Sequence, residues 1–182
     1  MTDIKLIPLS AEDLETVRNW RNSPEVAAYM YTDNFITEEQ QKNWFAGIQK
    51  NPSVKCWVIE YEGKKLGLAS ITDINTALGS CSWAFYLGDT SIRGAGIGGK
   101  VEYNVMRYVF EELNLNKLRC EVFVFNDSVI KMHEKFGFRR EAYYREHCTK
   151  NGKYQDVVGL AMLKSEWSVL KENIYNRIYN KN

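Results

Sequence analysis

The spacing of apolar positions changes repeatedly along the chain, and each change marks a predicted element. Ile4, Leu6 and Leu9 suggest a short first strand. Ser10 followed by Asp13 has the spacing of a reciprocal helix cap, and the helix it opens runs to Trp20 and Arg21, where Asn22-Ser23-Pro24 stops it. Pro24 suits the first turn of a second short helix carrying Val26, Tyr29 and Met30, because its missing N–H would be unbonded there anyway. Thr37 and Gln40 repeat the capping spacing before a third helix with Trp44, Phe45 and Ile48. From Lys55 the period drops to two. Trp57, Ile59 and Tyr61 alternate, Glu62-Gly63 turns the chain, and 66–74 and 81–87 read as two further strands in antiparallel hairpins. A glycine-rich loop over 93–99 then opens a helix through Val101, Val105, Met106, Val109 and Leu113, followed by a strand over 118–125. Residues 128–136 form a short helix ended by Gly137, 138–149 and 154–163 form a hairpin turned at Asn151-Gly152, and 165–179 a terminal helix. The residues after Tyr179 are expected to fray.

Composition narrows what such a chain does. Its 182 residues, 45% apolar and 26% charged, suit one globular domain and exclude a disordered segment. Twenty-four basic against twenty-three acidic residues leave a net charge of +1, so the chain has no overall electrostatic footprint for nucleic acid. The longest apolar run, over 101–110, is broken by Glu102, Asn104 and Arg107, and the N-terminus lacks a basic-then-apolar secretory pattern; no membrane partner and a cytoplasmic location are expected. Cys56, Cys81, Cys120 and Cys148 have neither zinc-site nor disulfide-scaffold spacing and read as reduced core thiols.

The loop Arg93-Gly94-Ala95-Gly96-Ile97-Gly98-Gly99-Lys100 fits several patterns. Gly94, Gly96 and Gly99 spell a dinucleotide fingerprint, yet antiparallel hairpins precede it and Glu121 lies mid-strand. Gly94, Gly99 and Lys100 have P-loop spacing, yet Val101 has no hydroxyl for magnesium. A plain structural glycine turn is also open, although four glycines in six residues cost backbone entropy that such a turn would not require. The remaining pattern is R-x-x-G-x-G between a strand and a helix, where successive N–H groups at a helix start bind a pyrophosphate and Arg93 adds a charge-assisted contact.

In that last pattern the chain resembles the GCN5-related N-acetyltransferase superfamily over residues 4–167. The resemblance implies a mixed, mostly antiparallel α/β fold whose central strands splay around acetyl-CoA, with Arg93, Gly94, Gly96, Ile97, Gly98 and Gly99 on the cofactor. The segment 126–138 resembles the superfamily's closing motif, which implies that Asn126 bonds the pantetheine arm and that residue 133 approaches the thioester sulfur. The family usually has Tyr there; this chain has His133, whose free pKa of roughly 6.5 suits a general acid. Trp20-Arg21-Asn22, Met30, Phe35-Ile36-Thr37, Arg145-Glu146-His147 and the run 152–156 resemble one subgroup, the N-acetyltransferases of pseudaminic acid biosynthesis. That resemblance implies transfer to the 4-amino group of a UDP-linked amino-deoxy sugar. Ribosomal-protein alanine acetyltransferases share part of the pattern, and a silent acyl-CoA sensor is the alternative from another class.

Acetyl transfer needs a neutral amine, donors for an oxyanion and a proton for the thiolate, and no metal. The splayed fold would put Tyr86 and Leu87 on one wall, with the Leu87 N–H as oxyanion donor, and residues 123–126 on the other. The strand 81–87 has no carboxylate, so Asp73, His147 and Asp156 are the candidate bases. Arg21, Asn22, Met30, Tyr86 and Asp156 are expected around the acceptor, with Arg21 offering a bidentate fork to a diphosphate. A monomer or homodimer is expected.

Overall fold

The computed structural model describes residues 3–32, 34–89, 91 and 96–180. Seven strands lie in one sheet: β1 (Lys5–Pro8), β2 (Lys55–Tyr61), β3 (Lys64–Asn75), β4 (Ser80–Leu87), β5 (Lys117–Phe123), β6 (Arg139–Lys150) and β7 (Lys153–Leu163), in the order β1-β2-β3-β4-β5-β7-β6. Every neighbouring pair is antiparallel except β4 and β5. The strand alternation read from sequence therefore holds, and β7 lies between β5 and its own hairpin partner β6.

Helices cover both faces, as two sided strands require. Three short helices, α1 (Leu14–Asn22), α2 (Pro24–Ala27) and α3 (Glu38–Gln49), fill the first third of the chain. Val17 of α1 packs with Leu9, Val58 and Leu68, and Trp20, Phe45 and Tyr86 lie against this cluster. Both expected caps form: the Ser10 N–H donates to Asp13 at 2.9 Å, and Thr37 and Gln40 exchange backbone-to-side-chain bonds. On the opposite face α4 (Ile97–Arg107), α5 (Asp127–Lys135) and α6 (Lys164–Tyr179) enclose the larger core, which contains Trp83, Val101, Met106, Phe110, Leu118 and Trp167. The helix expected to run unbroken to Leu113 instead changes at Tyr108 into a wider π turn, Tyr108–Glu112. No helix among the described residues is long and apolar enough to cross a membrane.

Candidate active site

The sheet is interrupted at its centre. β4 and β5 pair only at Ser80 with Lys117, Cys81 with Leu118 and Ser82 with Arg119; beyond those positions their ladder stops and a cleft opens between Trp83–Leu87 and the end of β5. The start of α4 lies at this cleft. Gly96 caps the helix with φ +75°, a left-handed conformation that favours glycine, and a Cβ there would meet nothing within 4 Å. The first intrahelical bond runs from the Lys100 N–H to the Gly96 carbonyl at 3.3 Å, so the N–H groups of Ile97, Gly98 and Gly99 have no acceptor within the helix. Three such donors at a helix start suit a pyrophosphate. Arg93 and Gly94 lie outside the described residues.

The neighbouring glycines serve a different purpose. A Cβ on Gly98 would stand 3.4 Å from Met132 Sδ, and one on Gly99 3.0 Å from Phe136 Cζ, so these two let α4 approach α5. The Ile97 side chain is buried in the core, leaving its backbone for any ligand. Lys100 is also buried, its ammonium over the rings of Tyr61 at 4.9 Å and Tyr179 at 5.5 Å; it points to the core and not to a phosphate, which removes the P-loop alternative.

On the face covered by α1–α3, the cleft has an aromatic mouth. Alternation along β5 sends Cys120 and Val122 to the large core and Glu121 and Phe123 to this side. The Tyr31 hydroxyl donates to Glu121 Oε2 at 2.8 Å, and its ring meets Phe123 edge-on at 5.2 Å. Phe123 stacks on Phe125 at 4.8 Å, Tyr29 lies 6.1 Å from Phe125, and His147 lies 6.2 Å from Tyr31. Burial, together with the Glu121 carboxylate, pushes the Tyr31 phenol well above its ordinary pKa. Arg21, half-buried at the end of α1, donates to Thr32 Oγ1 at 2.7 Å; burial lowers its pKa, against the neighbouring Tyr86. The Tyr86 hydroxyl is buried with no hydrogen-bond partner among the described residues. A Cβ on Gly88 would fall 2.0 Å from Trp20 Cγ, so the Trp20 indole clamps the end of β4 next to Leu87.

Several expected site residues have other duties. Asp73 sits on a bulge of β3 at the closed end of the cleft, its carboxylate 3.0 Å from Arg119, so the salt bridge occupies the expected base. Asp156 accepts the Tyr143 hydroxyl at 2.6 Å and the Glu146 N–H at 2.7 Å. Between Tyr144 and Cys148 the ladder to β7 slips, and these bonds hold Arg145-Glu146-His147 as a bulge around an open hollow of about 730 Å³. Asn22 closes a two-bond clamp on the backbone of Ile36, at 2.9 Å and 2.8 Å, instead of facing a substrate. The Met30 and Ala27 carbonyls accept from buried Lys150 at 2.8 Å and 2.7 Å, which ties α2 to the end of β6.

His133 departs furthest from expectation. Its ring is 3% exposed and turned into the core, with Nδ1 2.7 Å from Glu102 Oε1 and Trp83 edge-on at 5.3 Å. A helix position expected to face the cleft faces inward because α4 offers a buried carboxylate there. Burial works against a charged ring, but bonds with Cys120 and Glu102 outweigh it and raise His133 to about 10. Burial raises the Glu102 carboxyl as well, with His133 pulling against it. Both directions mean that the folded pair holds its proton more tightly than the free groups would.

The sequence reading passed over Glu121 and Tyr31. Alternation in β5 was enough to set Glu121 on the side of Phe123, but its pairing with Tyr31, ninety positions away, has no local signature. Asn126 stands at the N-cap of α5, as expected.

Comparison with known proteins agrees with this fold. A family model described as an acetyltransferase (GNAT) domain matches residues 3–139. Spermidine N(1)-acetyltransferase of Escherichia coli K12 is 24% identical over 164 residues, 90% of this chain and 88% of that protein. The acetyltransferase PseH of Campylobacter jejuni strain 81-176 is 24% identical over 130 residues, 71% of this chain and 79% of that protein. The crystal structure of Vibrio cholerae spermidine N-acetyltransferase in complex with CoA and spermine superposes with a TM-score of 0.86 at 23% identity, covering 91% of this chain and 98% of that one.

Proposed function

Because this chain belongs to the GNAT acetyltransferase family, we propose that it transfers the acetyl group of acetyl-CoA to the amine of a nucleotide-linked amino sugar. Acetyl-CoA, the family's donor, supplies a thioester carbonyl. Around it the N–H groups of Ile97, Gly98 and Gly99 take the pyrophosphate, Asn126 bonds the pantetheine arm, and the Leu87 N–H faces the carbonyl oxygen. Arg93 and Gly94 join the pyrophosphate site on the same reading.

An amine must lose a proton before it attacks. Glu121 is the base on this reading: its carboxylate stands at the mouth of the cleft, and the Tyr31 hydroxyl steadies it without neutralising it. The amine nitrogen bonds to the carbonyl carbon, the carbon–sulfur bond breaks, and the thiolate accepts a proton. A thiol pKa near 8.5 makes that last step possible without a dedicated acid.

The aromatic mouth is the observation that carries the sugar reading. Tyr29, Tyr31 and Phe125, exposed and joined through buried Phe123, form an aromatic edge suited to a nucleobase or sugar face, and Arg21 offers its fork to the diphosphate. His147 and Arg145, on the bulge beside it, extend this surface. Asp73 and Asp156 are engaged by donors of the chain itself, whereas a polyamine calls for several carboxylates ready for ammonium groups. A polyamine is the second reading, favoured by Glu121 among aromatic rings, an arrangement that also attracts an alkylammonium.

The test is thiol release from acetyl-CoA with three acceptors: a UDP-linked 4-amino-4,6-dideoxy sugar, spermidine and a ribosomal N-terminal peptide. Turnover of the sugar at least about tenfold above the others is expected. Preference for spermidine would transfer the assignment to the second reading, and preference for the peptide would remove both.

A further inference from the structure

We infer that the buried Glu102–His133 pair is a positioning device that fixes the first turn of α4 against α5, and thereby sets the affinity for acetyl-CoA without moving a proton in the reaction. The inference starts from how the two helices meet. Along one face of α4, Gly98 lies at Met132, Gly99 at Phe136 and Glu102 at His133. The first two contacts are dispersion contacts, which tolerate sliding, whereas the third is a 2.7 Å bond between groups that are both almost fully buried. It is the directional element of the interface.

The elements that meet at the ring give the pair its leverage. Glu102 belongs to α4, whose first amides face the pyrophosphate, and His133 belongs to α5, which begins at Asn126. Trp83 of β4 and Phe138 contact the ring at 5.3 Å and 5.4 Å, and Cys120 of β5 is near enough to influence its charge. All four elements around the cleft thus converge on one imidazole. Glu102 Oε2 has no hydrogen-bond partner among the described residues, so the carboxylate is held through Oε1 and its orientation depends on His133. The Nδ1 proton of this ring is directed to Glu102 inside the core, where a leaving thiolate cannot reach it.

Replacing one member alone would leave the other buried without its partner, so the decisive variant removes both. Glu102→Leu/His133→Leu should fold with a melting temperature at or near the wild type, since an apolar pair of similar volume replaces the ion pair. Calorimetry should show acetyl-CoA binding about tenfold weaker, and the KM for acetyl-CoA should rise in parallel, while kcat at saturating acetyl-CoA stays within about twofold. His133→Gln, which retains a donor for Glu102, should recover most of the affinity. An unchanged Kd in the double variant would reduce the pair to packing and overturn the inference. A fall in saturating kcat of about 10²-fold, not rescued by His133→Gln, would instead make His133 the general acid. Wild-type binding of acetyl-CoA is the control: its failure would undo the reading of the cleft itself, independently of this pair.

Discussion

At residue scale the glycines of the α4 loop separate cleanly by what surrounds them. Gly96 needs its hydrogen for the backbone angle and Gly99 for space, so their alanine variants should differ in kind. Gly96→Ala places a Cβ in open space but in a left-handed conformation that costs about 1–2 kcal/mol. Calorimetry should find weaker acetyl-CoA binding, because the helix start must distort to relieve that strain. Gly99→Ala presses on Phe136 and should appear first as a lower melting temperature. Glu121→Gln keeps the shape of the proposed base and removes its charge; kcat should fall about 10²–10⁴-fold with acetyl-CoA affinity intact, measured by thiol release and calorimetry. Reciprocal caps at Ser10–Asp13 and Thr37–Gln40 were legible in the sequence because both partners lie three residues apart. Glu121 was not, because a carboxylate in a strand gains its meaning from Tyr31, which only the tertiary fold brings near. The burial of His133 was not legible for the same reason, since nothing local reveals that Glu102 waits beneath it.

At the scale of elements, the fold reading succeeded where period and punctuation are local and stopped where pairing is distant. The hairpins at Glu62-Gly63 and Asn151-Gly152 follow from turn chemistry. The insertion of β7 between β5 and β6 does not, nor does the bulge that the Asp156 side chain holds in β6. Lys150, next to a hairpin turn, is buried and bonds the carbonyls of Ala27 and Met30 at and just past the end of α2. Lys150→Met keeps the aliphatic stem and removes those bonds. Since α2 leads into Tyr29 and Tyr31, the variant should raise the KM for the acceptor several-fold and leave that for acetyl-CoA unchanged.

Across the whole molecule, the Glu102–His133 pair should leave a mark on stability against pH. His133 is raised from 6.5 to about 10 in the folded state, so its stabilisation is complete below about pH 6.5 and is lost as pH rises towards 10. The raised Glu102 acts in the same direction, because there too the folded chain binds the proton more tightly. The wild-type melting temperature should therefore decline between about pH 7 and pH 10 more steeply than that of Glu102→Leu/His133→Leu, as thermal scans at matched ionic strength would show.

The three residue pairs that join β4 to β5 make a short spine between two leaves, β1–β4 on one side and β5–β7 on the other. Past Ser82 and Arg119 the facing edges of the leaves are not laddered to each other. An amide-bearing chain lying in that gap would take the place of a missing strand. Deuterium uptake should therefore slow along the facing edges of β4 and β5 when acetyl-CoA is added and stay unchanged at the remote β1–β2 edge, so that the donor itself becomes part of the sheet's mechanical continuity.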